Sequence, residues 1–185
     1  MGNLFSKCRL SSGELQEMLS ISKFTAKEIR RLHSSFVSLD SDKDHKITHE
    51  QLLLLPELLH NPLKHRVLAL IPQDEKEKDD KLIDFKQFIT TLNVFSPKAD
   101  RKTKLKAAFE IFDLNDDGVI AADDLEQIIK FIIGNFHDLS DEQIHFLVSK
   151  SLKEADTDGN GELDFEEFSR TMESIDLESF LSIKF

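Results

Sequence analysis

The strongest constraint on what this chain can become is a unit that recurs four times: an amphipathic helical stretch, an acidic loop, and a second amphipathic stretch. Aligned on the β-branched or Leu residue at the eighth loop position, the copies bring Ile47, Ile83, Ile120 and Leu163 into register, and the loops open at Asp40, Lys76, Asp113 and Asp156. One such unit cannot bury its own apolar face, so copies must pair. The eighth-position residues are expected to meet in twos as a short antiparallel ladder. That gives an all-α fold of four helix–loop–helix units in two paired lobes.

Local signals agree with this layout. Thr25 and Glu28 form a capping box that opens a helix carrying Ile29, Leu32, Phe36 and Leu39 at helical spacing. Ser140 and Gln143 form another, ahead of Ile144, Leu147, Val148 and Leu152. Leu105, Phe109 and Phe112 lead into the third loop. The polar, basic, proline-containing stretch that begins at Ser96 reads as a linker. The expected divisions are 1–24 as an N-terminal segment and helix, 25–95 as one lobe, 96–104 as linker, 105–175 as the second lobe, and 176–185 as a tail.

The loops carry the chemistry. A calcium-binding loop of the EF-hand type needs oxygen ligands at positions 1, 3, 5, 7, 9 and 12, glycine at 6 and a bidentate Glu at 12. The fourth loop satisfies every position: Asp156, Asp158 and Asn160, then the backbone carbonyl of Glu162, a water held by Asp164, and Glu167 to close, with Gly161 at the turn. The third offers Asp113, Asn115, Asp117, the carbonyl of Val119 and Asp124, with Gly118 at the turn. Asp124 is one methylene shorter than Glu, which favours six-coordinate geometry and lets Mg²⁺ compete there. The first loop keeps Asp40, Asp42 and Asp44 but has His45 for glycine and Gln51 at the closing position, so it is expected to stand empty. The second has Lys76, Lys78 and Gln87 where ligands belong and is a scaffold. Two calcium sites follow, both in the C-terminal half.

The chain has 24 Lys and Arg against 35 Asp and Glu, a net charge of −11, which disfavours nucleic acid and suits divalent cations or basic partners. Its aromatic residues are 15 Phe with no Tyr or Trp, rings without a polar handle and suited to burial. The single cysteine, Cys8, excludes an internal disulfide, and no apolar run reaches membrane-spanning length. No nucleophile constellation or phosphate-binding glycine loop occurs, so an enzyme is not expected. Met1 to Ser6 fits the acceptor pattern for N-myristoylation at Gly2. One acyl chain anchors weakly, and Lys7, Arg9 and Cys8 stand ready as second signals, by headgroup contact or palmitoylation. The expected location is cytoplasmic, with peripheral membrane association.

From Leu55 to Val67 the sequence reads L-P-E-L-L-H-N-P-L-K-H-R-V and resembles the calcineurin B family, in which such a segment follows the first loop. The resemblance runs over nearly the whole chain. The stretch Phe36 to Asp40 and the ending Phe180 to Phe185 are most similar to the calcineurin B homologous proteins, myristoylated cofactors of Na⁺/H⁺ exchangers in which the C-terminal loops bind calcium. Asp124 is also similar to the calcium- and integrin-binding proteins in its position. What this implies is a calcium-binding regulatory protein that holds an amphipathic helix of a target, either an exchanger or a calcineurin A-like catalytic subunit. The alternatives are calcineurin B itself, a calcium- and integrin-binding-like protein and, in another class, a calcium buffer. The apolar tail from Leu177 to Phe185 is expected to lie in the target groove as an internal lid.

Overall fold

The computed structural model of the chain describes residues 10–59, 63–72, 82–133 and 139–175. Gly2 and Cys8, Lys76 and Lys78 of the second loop, and the tail from Leu177 lie outside the described residues. These residues group into two compact units, one holding 10–59, 71–72 and 82–99, the other 63–70, 100–133 and 139–175.

The first unit contains α1 (Ser12–Ile21), α2 (Ala26–Leu39), β1 (Lys46–Thr48), α3 (His49–Leu52), α4 (Pro56–Leu59), β2 (Leu82–Asp84) and α5 (Phe85–Asn93). As the repeat requires, β1 and β2 pair antiparallel with Ile47 opposite Ile83, and both side chains are fully buried. The Thr25–Glu28 capping box forms and starts α2. The stripe it directs inward, Ile29, Leu32 and Phe36, is buried. Phe36 meets Phe85 and Phe88 edge-on, with ring centroids 5.3 and 5.2 Å apart, a geometry that aligns ring edges with ring faces. The helix α1 has its own capping box, Ser11 with Glu14, and buries Met18. It is tied to α5 by Glu17–Lys86 at 2.9 Å.

The second unit contains a 3-10 segment (Lys64–Leu70), α6 (Arg101–Phe112), α7 (Ala122–Ile133), α8 (Asp141–Ala155), α9 (Phe165–Thr171) and a short 3-10 turn (Met172–Ser174). Ile120 and Leu163 form an antiparallel bridge, each amide donating to the other's carbonyl at 2.9 Å. Phe109 packs edge-on against Phe165 and Phe168 at 5.5 Å, which closes α6 onto α9. Arg101 donates from the start of α6 to the carbonyls of Met172 and Glu173.

Two expected boundaries differ. The stretch 96–104 is only in part a connection: Ser96 and Ala99 are buried, and α6 already begins at Arg101 because the Asp100 side chain accepts from the Thr103 amide and caps it. Residues 63–70, expected within the lobe 25–95, group instead with the second unit, where they pack against α6.

Candidate metal centres

Loop four runs from Asp156, which ends α8, to Glu167 in the first turn of α9. Its backbone turns through Gly159 at φ +80° and Gly161 at φ +88°, conformations that glycine reaches without steric penalty. The turns aim amides inward. Gly159 and Gly161 donate to the two oxygens of Asp156 at 2.7 and 2.8 Å, and Asn160 donates to Asp158 at 3.0 Å. Glu167 accepts from the amide and hydroxyl of Thr157, both at 2.7 Å, and from the amide of Asp164 at 3.2 Å. These bonds hold its carboxyl down to about 2, the Thr157 hydroxyl being the largest cause. The group therefore stays ionised without a cation and can receive one without releasing a proton.

Asp156, Asp158 and Glu167 each place a carboxylate oxygen within 4.8 Å of the others. That spread matches oxygens arranged about one ion at Ca–O distances of about 2.3–2.6 Å, so this donor set fits Ca²⁺. Asn160 and Glu162 stand at their expected places, the Glu162 amide bonded to Asn160 Oδ1 at 2.8 Å. Thr157 was not among the residues expected from the sequence. Its second-position hydroxyl orients Glu167 and is itself held by Arg170 at 3.1 Å.

Loop three repeats the backbone but not the carboxylate gathering. Asp113 ends α6 and accepts from the amides of Asp117 and Gly118 at 3.2 and 2.9 Å. Asn115 accepts from the Asp117 amide at 3.1 Å, and Val119 donates to Asp117 at 3.0 Å. Asp124, buried at 3% exposure, accepts from Leu114 at 3.1 Å and Ala121 at 2.9 Å. Those two donors occupy the same loop positions as Thr157 and Asp164, so the shorter side chain satisfies the same amides as Glu167. Among the described residues, Asp113, Asp117 and Asp124 do not converge as the carboxylates of loop four do.

Loop one keeps the shape that its sequence put in doubt. Lys43 and His45 adopt φ +63° and +69°, and their amides donate to Asp40 at 2.7 and 3.1 Å. Asp40, Asp42 and Asp44 gather within 4.8 Å. What the loop lacks is a closing charge, because Gln51 spends its amide on the Thr48 N–H at 2.7 Å and on Ser41 at 3.0 Å. Gln87 of loop two is committed in the same way, to Asp84 and to the Pro72 carbonyl. The closing position is thus also the reciprocal half of a capping box on the exit helix, with Thr48, Asp84 and Asp164 as the caps. Glutamine preserves the cap and removes the ligand charge.

Residues 102–173 match the family profile of the EF-hand domain pair. The chain is 39% identical over 171 residues to the calcineurin B protein of Naegleria gruberi, covering 92% of this chain and 93% of that one. To the type 2 calcineurin B protein of Dictyostelium discoideum it is 35% identical over 182 residues, 97% of this chain and 96% of the relative. To the human type 2 protein it is 40% identical over 156 residues, 84% and 88% of the two chains. These relatives favour calcineurin B proper over the exchanger cofactors that the chain's ending resembles. No described helix is long and apolar enough to cross a membrane. The chain belongs to the calcineurin B-like family of EF-hand proteins, non-catalytic, calcium-binding regulatory subunits.

Proposed function

We propose that this chain is the regulatory subunit of a calcineurin-type phosphatase, holding an amphipathic helix of the calcineurin A-like catalytic subunit while loops three and four carry Ca²⁺. The observation that carries the reading is the near full-length similarity to calcineurin B proteins. Surface chemistry in the second unit supports it. Phe131 and Ile132 of α7 and Phe146 and Leu147 of α8 are exposed, Phe146 at 68%. Leu139, Glu142, Gln143, Phe146 and Leu147 line an open hollow of about 340 Å³. Apolar side chains on neighbouring helices suit the apolar face of a partner helix, and the net charge of −11 suits a basic polar face.

In this reading the ligands are Asp156, Asp158, Asn160, Glu167 and the Glu162 carbonyl in loop four, and Asp113, Asn115, Asp117, Asp124 and the Val119 carbonyl in loop three. Loop three is the weaker site, where Mg²⁺ competes, because Asp124 closes it with a shorter arm than Glu, which favours six-coordinate geometry. Myristoylation of Gly2 gives a reversible hold on a membrane surface. A Na⁺/H⁺ exchanger helix is the second candidate partner. It is favoured by the uncharged Gln51 and Gln87 at the closing positions of the first two loops.

Fluorescence anisotropy with labelled peptides of the two target helices tests this. The calcineurin A-type helix is expected to bind more tightly, calcium to strengthen binding, and Phe146→Glu to weaken it about tenfold, as for a central apolar anchor. A preference for the exchanger helix reverses the choice of partner. Indifference of both peptides to Phe146→Glu removes the α7–α8 surface as the docking face.

A further inference from the structure

Residues 63–70 precede the second loop in the chain, yet they pack against α6, the helix that enters the third. Leu63 and Val67 are buried one turn apart. Between them, the guanidinium of Arg66 reaches the end of α6. Its Nε donates to the Ile111 carbonyl at 3.1 Å, and Nη2 donates to the carbonyls of Glu110 at 2.8 Å and Asp113 at 2.6 Å. These carbonyls belong to the helix end, where acceptors lack intrahelical donors and the dipole is negative. The Arg66 side chain is 18% exposed, and Nη2 also lies 3.7 Å from the carboxylate of Asp116, the fourth residue of loop three.

We infer that Arg66 is a positioning residue for the cation site of loop three, and that cation binding there in turn stabilises residues 63–70. The inference rests on the reading that loop three binds a cation. By gripping the Asp113 carbonyl and the turn before it, the planar fork sets where α6 stops and the first ligand begins. Loop three has most need of this, since Asp124 closes it with an arm one methylene shorter than that of Glu167. A residue that holds ligands in place lowers the ordering cost that binding must overcome. Its charge acts in the opposite sense by repelling the cation. Lysine at this position keeps the charge and loses the fork, so Arg66→Lys isolates positioning. Binding linkage is reciprocal, so occupancy of loop three must slow the opening of residues 63–70.

The experiment combines calorimetric calcium titration with hydrogen exchange on the full chain, in wild type, Arg66→Lys and Asp124→Asn, the last removing the closing charge of loop three. Arg66→Lys is expected to weaken the loop-three site about tenfold and leave loop four within about twofold. Calcium is expected to slow exchange across 63–70 in wild type and not in Asp124→Asn, a response that a merely structural contact would not give. Unchanged loop-three affinity in Arg66→Lys overturns the inference, as does exchange across 63–70 that responds alike in wild type and Asp124→Asn. A wild-type titration from which Asp124→Asn removes no site overturns the underlying reading instead, before any Arg66 variant is made.

Discussion

At the sixth position of each calcium-type loop the chain must turn through positive φ, and this protein meets that demand in two ways. Gly118 and Gly161 sit at φ +88° without strain, while His45 sits at +69° against the usual steric cost of about 1–2 kcal/mol for a side chain there. His45→Gly should therefore stabilise the metal-free first unit by about 0.5–1 kcal/mol, after the extra freedom glycine gains in the unfolded chain. Urea unfolding read on both proteins checks this, and a loss of stability would mean that His45 makes compensating contacts. From sequence alone, His45 and Gln51 look like equal defects of loop one. The structure separates them, since His45 keeps the turn and Gln51 removes the closing charge. Position rules read each residue singly, so they miss that the closing side chain also caps a helix, and that Thr157 sets the ionisation of Glu167.

Among the elements, those with a regular apolar period were legible. The stripe Ile29–Leu32–Phe36 is buried where helical spacing puts it, and of the stripe on α8 Ile144 and Val148 are buried while Leu147 is exposed; the Thr25–Glu28 and Ser140–Gln143 boxes start their helices. The segment 63–70 was not, because two buried residues, Leu63 and Val67, make no period and its partner α6 lies far along the chain. The packing of α2 on α5 also carries a titratable group. His33 meets Phe85 edge-on at 5.0 Å, and burial lowers its pKa below 6.5, with the His45 charge acting in the same direction and Glu14 opposing. A depressed histidine binds fewer protons folded than unfolded, so its contribution is complete above pH 6.5 and is lost as pH falls through the folded value. Thermal unfolding of the metal-free chain should show the midpoint of the first unit falling below pH 6.5, with a shallower fall in His33→Gln. An equal fall in the variant would place the titration elsewhere. Glu14 and Glu28, both lowered by their capping hydrogen bonds, add a separate loss only below about 4.5.

At the scale of the whole molecule, the repeat predicted paired units and the structure has them: β1 with β2 in one, Ile120 with Leu163 in the other. The chain passes from the first unit to the second at 63–70 and back again before α6 re-enters the second, a route that repeat spacing cannot encode. Its consequence is that loop three, a proposed cation site in the second unit, has a protein neighbour, Arg66, drawn from between the two halves of the first pair. Calcium is proposed to bind in loops three and four, with Glu167 closing the better site. Calorimetric titration of the full chain with Ca²⁺ in millimolar Mg²⁺, repeated with Glu167→Gln, tests it most directly. Two sites are predicted in wild type, the tighter one missing from the variant. Three or four sites would contradict it and extend calcium binding to the first unit, where Asp40, Asp42 and Asp44 already converge, and an unchanged tighter site in Glu167→Gln would contradict the place of that site in loop four.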